Sequence, residues 1–179
     1  MIGKLTTFRA EVADRQAIGD CIHLYSRGID RADADLLGEV FWPDAQVHGE
    51  LYSGGVADFI SFSVAGGLKN WDRMMHIISN SIIRIDGARA VAESYFYGYH
   101  VGHAGAASGD LIISGRYLDR FERRDDEWRM SEKTILFEWY REYPDNGGDK
   151  AGPMGTTVTL KGEPAPHDRS YALFRSLAG

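Results

Sequence analysis

Cysteine is nearly absent from this chain. Cys21 is the only one in 179 residues, which excludes an internal disulfide framework and fits a reducing compartment. Its place in a helical apolar stripe makes it a small core filler rather than a nucleophile. Positive charge is also in short supply: 20 Lys and Arg against 26 Asp and Glu give a formal charge of −6, with no basic stripe or lysine-rich tail. A phosphate backbone would find no anchor, so nucleic acid is not an expected partner. No stretch approaches the ~20 apolar residues of a membrane span, and Met1 to Asp14 has no basic segment followed by an apolar run. A cytoplasmic protein without a membrane partner is therefore expected. Internal repeats and low-complexity tracts are missing. Gly102 to Gly109 is glycine-rich but lacks the dinucleotide pattern, and without a Gly-x-Ser-x-Gly elbow a serine hydrolase of that kind is excluded.

What is present has the make-up of one globular domain spanning 1–179: 44% hydrophobic residues are enough for a sizeable core and 26% charged residues for its surface. From Ala10 to Ile29, Ile18, Cys21, Ile22, Tyr25 and Ile29 recur at three- and four-residue steps, the stripe of an amphipathic helix. Asp33 can cap a second helix through Leu36, Leu37, Val40 and Phe41, stopped by Pro43. Val56 to Val64 reads as a third, ending at the Gly66-Gly67 break.

After Met74 the pattern changes to β-branched and aromatic runs. Met74 to Ile85, Arg89 to Val101, Leu111 to Glu122 and Trp128 to Glu142 read as four consecutive antiparallel strands. Asp86-Gly87 and Arg124 to Glu127 supply turns, and Gln46 to Glu50 suggests a short edge strand. The core should therefore occupy about 10–142. The 143–166 stretch holds four of the five prolines and reads as a loop or lid, before a last helix within 167–179 that packs back through Tyr171, Leu173 and Phe174. Helices followed by a curled antiparallel sheet make an α+β plan with a conical hollow, suited to a small apolar ligand.

Four polar side chains fall where that plan predicts interior: Tyr25, Asp30, His76 and His100. Buried polar groups cost several kcal/mol unless they satisfy one another, so an interior that keeps them is a candidate reaction chamber. Strand alternation puts His76, Ile78, Asn80 and Ile82 on one face, and Phe96, Gly98 and His100 on one face of the next strand. The two histidines then become cross-strand neighbours. A histidine, with an ordinary pKa of about 6.5, can take and return a proton near neutrality if a carboxylate holds its other ring nitrogen. Asp30 is the candidate carboxylate, with Arg31 or Arg27 as its competing partners. Tyr25 could polarise a carbonyl. However, five helical residues span about 140° of rotation, so Asp30 shares Tyr25's pocket only if the helix ends or bends near Gly28. His48, Glu50, His100 and His103 are metal-ligand types without zinc-like spacing, so no metal is expected.

Taken together, Tyr25-Ser26-Arg27-Gly28-Ile29-Asp30, then Phe41-Trp42-Pro43-Asp44-Ala45, His76, and the run from Gly115 to Met130 resemble the SnoaL-like branch of the NTF2-like superfamily. The resemblance covers roughly Ala10 to Tyr140. It looks most like the scytalone dehydratase, bile acid dehydratase and lindane dehydrochlorinase group, whose Asp–His dyad falls on Asp30 and His76. Tyr25 is similar to the bile acid dehydratase pattern, and His100 to the second histidine of scytalone dehydratase. The group's last-strand basic residue would fall at Lys133 or Arg129, which alternation leaves on one face. The tyrosines flanking the dyad in scytalone dehydratase are not reproduced in order, and Tyr52 is only a loose substitute.

The resemblance implies an NTF2-like (cystatin-like) cone and a cofactor-independent lyase: a dehydratase acting on a small cyclic or polycyclic hydroxy-ketone, with ketone isomerase or polyketide cyclase as close variants. His76 would be the base, Asp30 its orienter, Tyr25 the carbonyl's hydrogen-bond donor and His100 the helper of the leaving hydroxyl. Trp42, Tyr52, Phe62, Met75, Phe96, Tyr117, Lys133 and Phe137 would contact substrate. Relatives form trimers or dimers through the outer sheet face, where Tyr95, Tyr97 and Tyr99 would lie, and a homo-oligomer, a trimer before a dimer, is expected. The superfamily also contains non-catalytic members, such as the small subunits of ring-hydroxylating dioxygenases, so a ligand-binding or structural role is the alternative.

Overall fold

In the computed structural model, residues 2–103, 109–144 and 161–177 are described, with side chains from residue 10 onward. Helix α1 spans Ile2–Arg31 and turns Ile18, Ile22 and Tyr25 inward, each at most 3% exposed. Burying side chains of this size contributes about 1.5–3 kcal/mol apiece. The helix neither ends nor bends out at Gly28. That glycine is there for contact, because a Cβ would stand 2.7 Å from Leu37 Cγ and Cδ2 of the next helix. Ala32, at φ 50°, turns the chain out of α1.

Helix α2, Ala34–Val40, begins where Asp33 Oδ1 accepts from Leu36 N at 3.0 Å. It ends one residue before the expected Phe41, which opens strand β1, Phe41–His48. Strand β2, Ser53–Gly55, leads into helix α3, Val56–Asn70. Gly66 and Gly67 do not break α3. Gly67 instead lets the helix close on the sheet, since a Cβ there would stand 2.6 Å from Met74 Cε.

The long strands are β3, Trp71–Asp86; β4, Arg89–Gly102; β5, Asp110–Arg124; and β6, Glu127–Tyr143. Two tight turns join β3 to β4 and β5 to β6. Gly87 takes φ +58° in the first, and Asp125 and Asp126 take positive φ in the second, the pairing that a type I′ turn requires. The curved, unclosed sheet runs β2-β1-β6-β5-β4-β3. The segment expected at an edge, β1, lies between β2 and β6 and runs parallel to β6. The free edges are β2 and β3.

Register irregularities reverse the simple alternation, two of them at positions that matter to the site. Between Ile78 and Ser81 the pairing of β3 with β4 shifts, so Ile82 is 54% exposed while Ile83 and Ile85 pack on the core. Arg120 pairs with Glu132 but Phe121 with Met130, so Ser131 is the extra residue of a bulge. Met130 and Lys133 therefore both point inward, and Arg129 points the other way; the expectation that Arg129 and Lys133 share a face fails at this bulge.

Helix α4, Arg169–Arg175, is capped by Asp168 and docks on the corner between α1 and α2: Tyr171 Oη donates to Asp33 Oδ2 at 2.5 Å, and the Arg27 guanidinium covers the Tyr171 ring at 4.6 Å. Leu173 stays 66% exposed and does not join that packing. Most of the expected lid, 143–166, lies outside the described residues. Among those described, no helix is long and apolar enough to cross a membrane.

Candidate active site

Between α1, α3 and the concave sheet face lies a cavity of about 210 Å³. At its inner end stands His76, held in place by an acidic group on α1. Asp30 accepts the His76 backbone N–H at 2.9 and 3.0 Å, and its Oδ1 lies 2.7 Å from His76 Nδ1. A carboxylate only accepts, so Nδ1 carries the hydrogen and Nε2 is left with the basic lone pair. The ring lies over Gly98, its register partner on β4, where a Cβ would stand 3.0 Å from Nε2 and Cδ2. Any other residue at 98 would press on this imidazole.

The 140° problem is solved without bending α1. Tyr25 lines the cavity, while Asp30 lies outside its wall, in a polar groove between α1 and the edge strand β3, together with His23, Ser26, Arg27 and Arg31. From there it reaches His76 from behind. Arg27 and Arg31 are engaged elsewhere, by Ser170 and Asp168.

His100 does not pair directly opposite His76; the register sets Met74 against His100 and Gly98 against His76. The two rings are diagonal neighbours, edge to face, with centroids 5.1 Å apart. His100 is 7% exposed and its Nδ1 has no hydrogen-bond partner. Burial, then the nearby His76, push its pKa down to about 4, against a weaker opposing effect from the Leu111 backbone, so the ring is neutral at pH 7.

Tyr25 sits among Phe41, Phe59 and Tyr117, and burial holds its phenol protonated far above neutrality. Beneath it, Lys133 Nζ lies 3.9 Å from the centre of the Tyr25 ring and 3.8 Å from that of Tyr117, and donates to both oxygens of Asp119 at 2.9 and 3.2 Å. Both side chains of this pair are fully buried.

Of the expected substrate contacts, Tyr52, Phe62, Phe96, Tyr117 and Phe137 line the cavity. Three do not. Trp42 follows the inward Phe41 and so faces away; its Nε1 donates to Glu122 O at 3.0 Å, and Arg124 and Arg129 cover its ring. Met75 is 53% exposed because the alternation that turns His76 inward turns Met75 out, and Met74 takes its place on the wall. Lys133 lies under the floor, consumed by Asp119. The wall also includes residues not expected from sequence as substrate contacts: Ile29, Phe59, Trp71, Ile113, Ile135 and, at polar positions, Glu50, Ser63 and Asn70. Trp71 meets the His100 ring at 5.1 Å, placed there by the register shift that follows it. Cys21 is inert: Sγ donates to Trp128 O at 3.1 Å, and burial, reinforced by Asp20, pushes the thiol up to about 11. Among the described residues, no three His, Cys, Asp or Glu converge as a metal site would need.

Residues 10–134 match the model of the SnoaL-like domain. The chain belongs to this family. The uncharacterized protein Rv2910c of Mycobacterium tuberculosis is 31% identical over 127 residues, covering 70% of this chain and 86% of the relative. Among solved structures, a putative scytalone dehydratase of Novosphingobium aromaticivorans superposes with a TM-score of 0.68 at 18% identity, covering 79% of this chain and 95% of the other. The hexachlorocyclohexane dehydrochlorinase LinA-type3 of Novosphingobium barchaimii superposes with a TM-score of 0.64 at 21% identity, covering 74% and 92%. At these identities the likeness shows the fold, which is the NTF2-like, cystatin-like one. A SnoaL-like domain is thus a scaffold around a hollow, and function has to be argued from what lines it.

Proposed function

We propose that this SnoaL-like protein is a cofactor-independent lyase that removes water from a small cyclic hydroxy-ketone. The observation that carries the reading is the Asp30–His76 contact of 2.7 Å at the inner end of an open, aromatic-walled cavity. His76 Nε2 takes the proton beside the ketone, Asp30 stabilises the resulting imidazolium, and Tyr25 donates to the oxygen on which negative charge develops. The C–H electron pair becomes the new double bond as the C–O bond breaks. His76 returns the proton to the departing hydroxyl, which leaves as water and restores the dyad. Neutral His100, whose ring lines the cavity beside His76, stands next to that hydroxyl. A cavity of roughly 150 Å³ accommodates benzene, so about 210 Å³ suits one ring or two fused rings.

Two structural neighbours are named as a putative dehydratase and a dehydrochlorinase, both of them names for eliminations, which supports the reading. The competing reading as a structural module calls for a filled hollow or a His76 ring bonded elsewhere, and the cavity and the 2.7 Å contact both weigh against it; a ligand-binding module is separated from the lyase by turnover. The reading extends to a single-domain, cytoplasmic homo-oligomer joined through the outer sheet face, supported by Tyr95 and Tyr97 standing 41% and 37% exposed there.

The test is a panel of hydroxy-ketones followed by the absorbance of the conjugated product. His76→Ala and Asp30→Asn should each lower kcat by about 10²–10⁴-fold, the range of a positioned acid–base group. Activity retained within a few-fold in either variant removes the proposed roles.

A further inference from the structure

The charge inside the cavity is one-sided. Among the described residues no lysine or arginine lines it, and the basic side chain nearest its floor, Lys133, is fully buried and donates to both oxygens of Asp119. An ammonium so engaged cannot turn to a ligand without leaving Asp119 charged and alone in the core. The wall does include a carboxylate, Glu50, in the exposed bend between β1 and β2, with no ion pair or hydrogen bond among the described residues. Behind His76 stands a second, Asp30. His100, the other titratable group at the inner end, is neutral at pH 7.

We propose that Glu50 sets the charge class of the ligand: the cavity takes ring compounds carrying a hydroxyl or protonated amine at the end remote from His76, and rejects carboxylates of the same shape. The carboxylate accepts from an outward-pointing donor, while an anionic substituent meets repulsion with no cation to offset it. Because Glu50 lies at the wet mouth rather than the dry end, its effect is that of a charge pair in high dielectric, about fivefold in affinity per unit charge at contact distance.

This inference rests on the cavity being the ligand chamber of the proposed lyase, so its test is a binding measurement that needs no turnover. Titration of the full chain at pH 7 with 2-naphthol, 2-naphthylmethylamine and 2-naphthoate, followed by ligand NMR line broadening, should show naphthoate weakest by about fivefold or more. Glu50→Gln, an exposed substitution that leaves the core untouched, should narrow the gap between naphthoate and naphthol and weaken the amine. Equal affinity for naphthoate and naphthol, an unchanged gap in Glu50→Gln, or failure of all three compounds to bind would overturn the proposal. The same titration on His76→Ala should keep the ranking. A preserved ranking with undiminished turnover in that variant would sink the elimination chemistry while leaving charge selection standing.

Discussion

Two carboxylates in this molecule are each joined to a basic side chain, and the contrast between them separates holding from acting. Asp119 gives both oxygens to Lys133, and neither side chain is exposed at all. Asp30 gives its oxygens to the backbone N–H and one ring nitrogen of His76, with 13% and 9% of the two side chains exposed, and leaves the second ring nitrogen to the cavity. Burial pushes Lys133 down and Asp119 up, each toward its neutral form, and their mutual attraction opposes this. A pair with every polar atom spent is a girder. A pair with one nitrogen unspent is a tool.

The difference can be broken most severely at the buried pair. Lys133→Ala leaves Asp119 unpaired in the core and should cost about 3–5 kcal/mol in urea unfolding, whereas Lys133→Met combined with Asp119→Leu should recover most of that loss. A double variant no better than the single would mean that the two charges do more than satisfy each other. Next in size is a pH effect at the inner end of the cavity. His100 binds its proton near pH 4 in the native protein but near 6.5 when unfolded, so between those values the unfolded state holds more protons and native stability falls as pH drops. Across that window the loss is about 3 kcal/mol. Unfolding measured from pH 7 to 4 should show a flatter slope for His100→Gln than for the parent chain; equal slopes would place the titration elsewhere. The smallest effect probes the tool itself. Gly98→Ala brings a methyl 3.0 Å from His76 Nε2, and should lower kcat about tenfold through a displaced imidazole while shifting the unfolding midpoint little. Unchanged turnover would show that the ring needs no such room.

Much of this architecture is written in short-range pattern. The stripe through Ile18, Ile22 and Tyr25, the Asp33 cap, and the turns at Asp86-Gly87 and Asp125-Asp126 are local chemistry, and α1, α2 and the β3–β4 and β5–β6 hairpins follow from them. What escaped was whatever depends on one extra residue. A bulge at Ser131 puts Arg129 and Lys133 on opposite faces, and another after Ile78 exposes Ile82, because a single insertion reverses a period of two. Gly66-Gly67 read as a break because glycine's tolerance of turns is a local property, while its need here is for room against Met74, a partner the local pattern does not reveal. At the site, the Asp30–His76 couple was legible as residue types at matching places. The route by which Asp30 arrives, from the groove between α1 and the edge strand β3 rather than from Tyr25's side of the helix, depends on how α1 lies along β3 and has no signature in spacing. Glu50 read as the end of a short edge strand and as a metal-ligand type without partners, and only the third dimension sets it on the rim of the hollow.

Strand β3 has a neighbour on one side only, and an unpartnered border of this kind invites foreign chains to dock. Here α1 lies along that border and fills hydrogen-bonding positions with side chains: Asp30 receives the amide of His76, and Arg15 Nη1 donates to the Ile83 carbonyl at 2.9 Å. One aspartate thus stops the border and, in the proposed lyase, orients the base. Its loss would unseal a border as well as free an imidazole, so any lineage that discarded the chemistry would still have reason to keep the carboxylate.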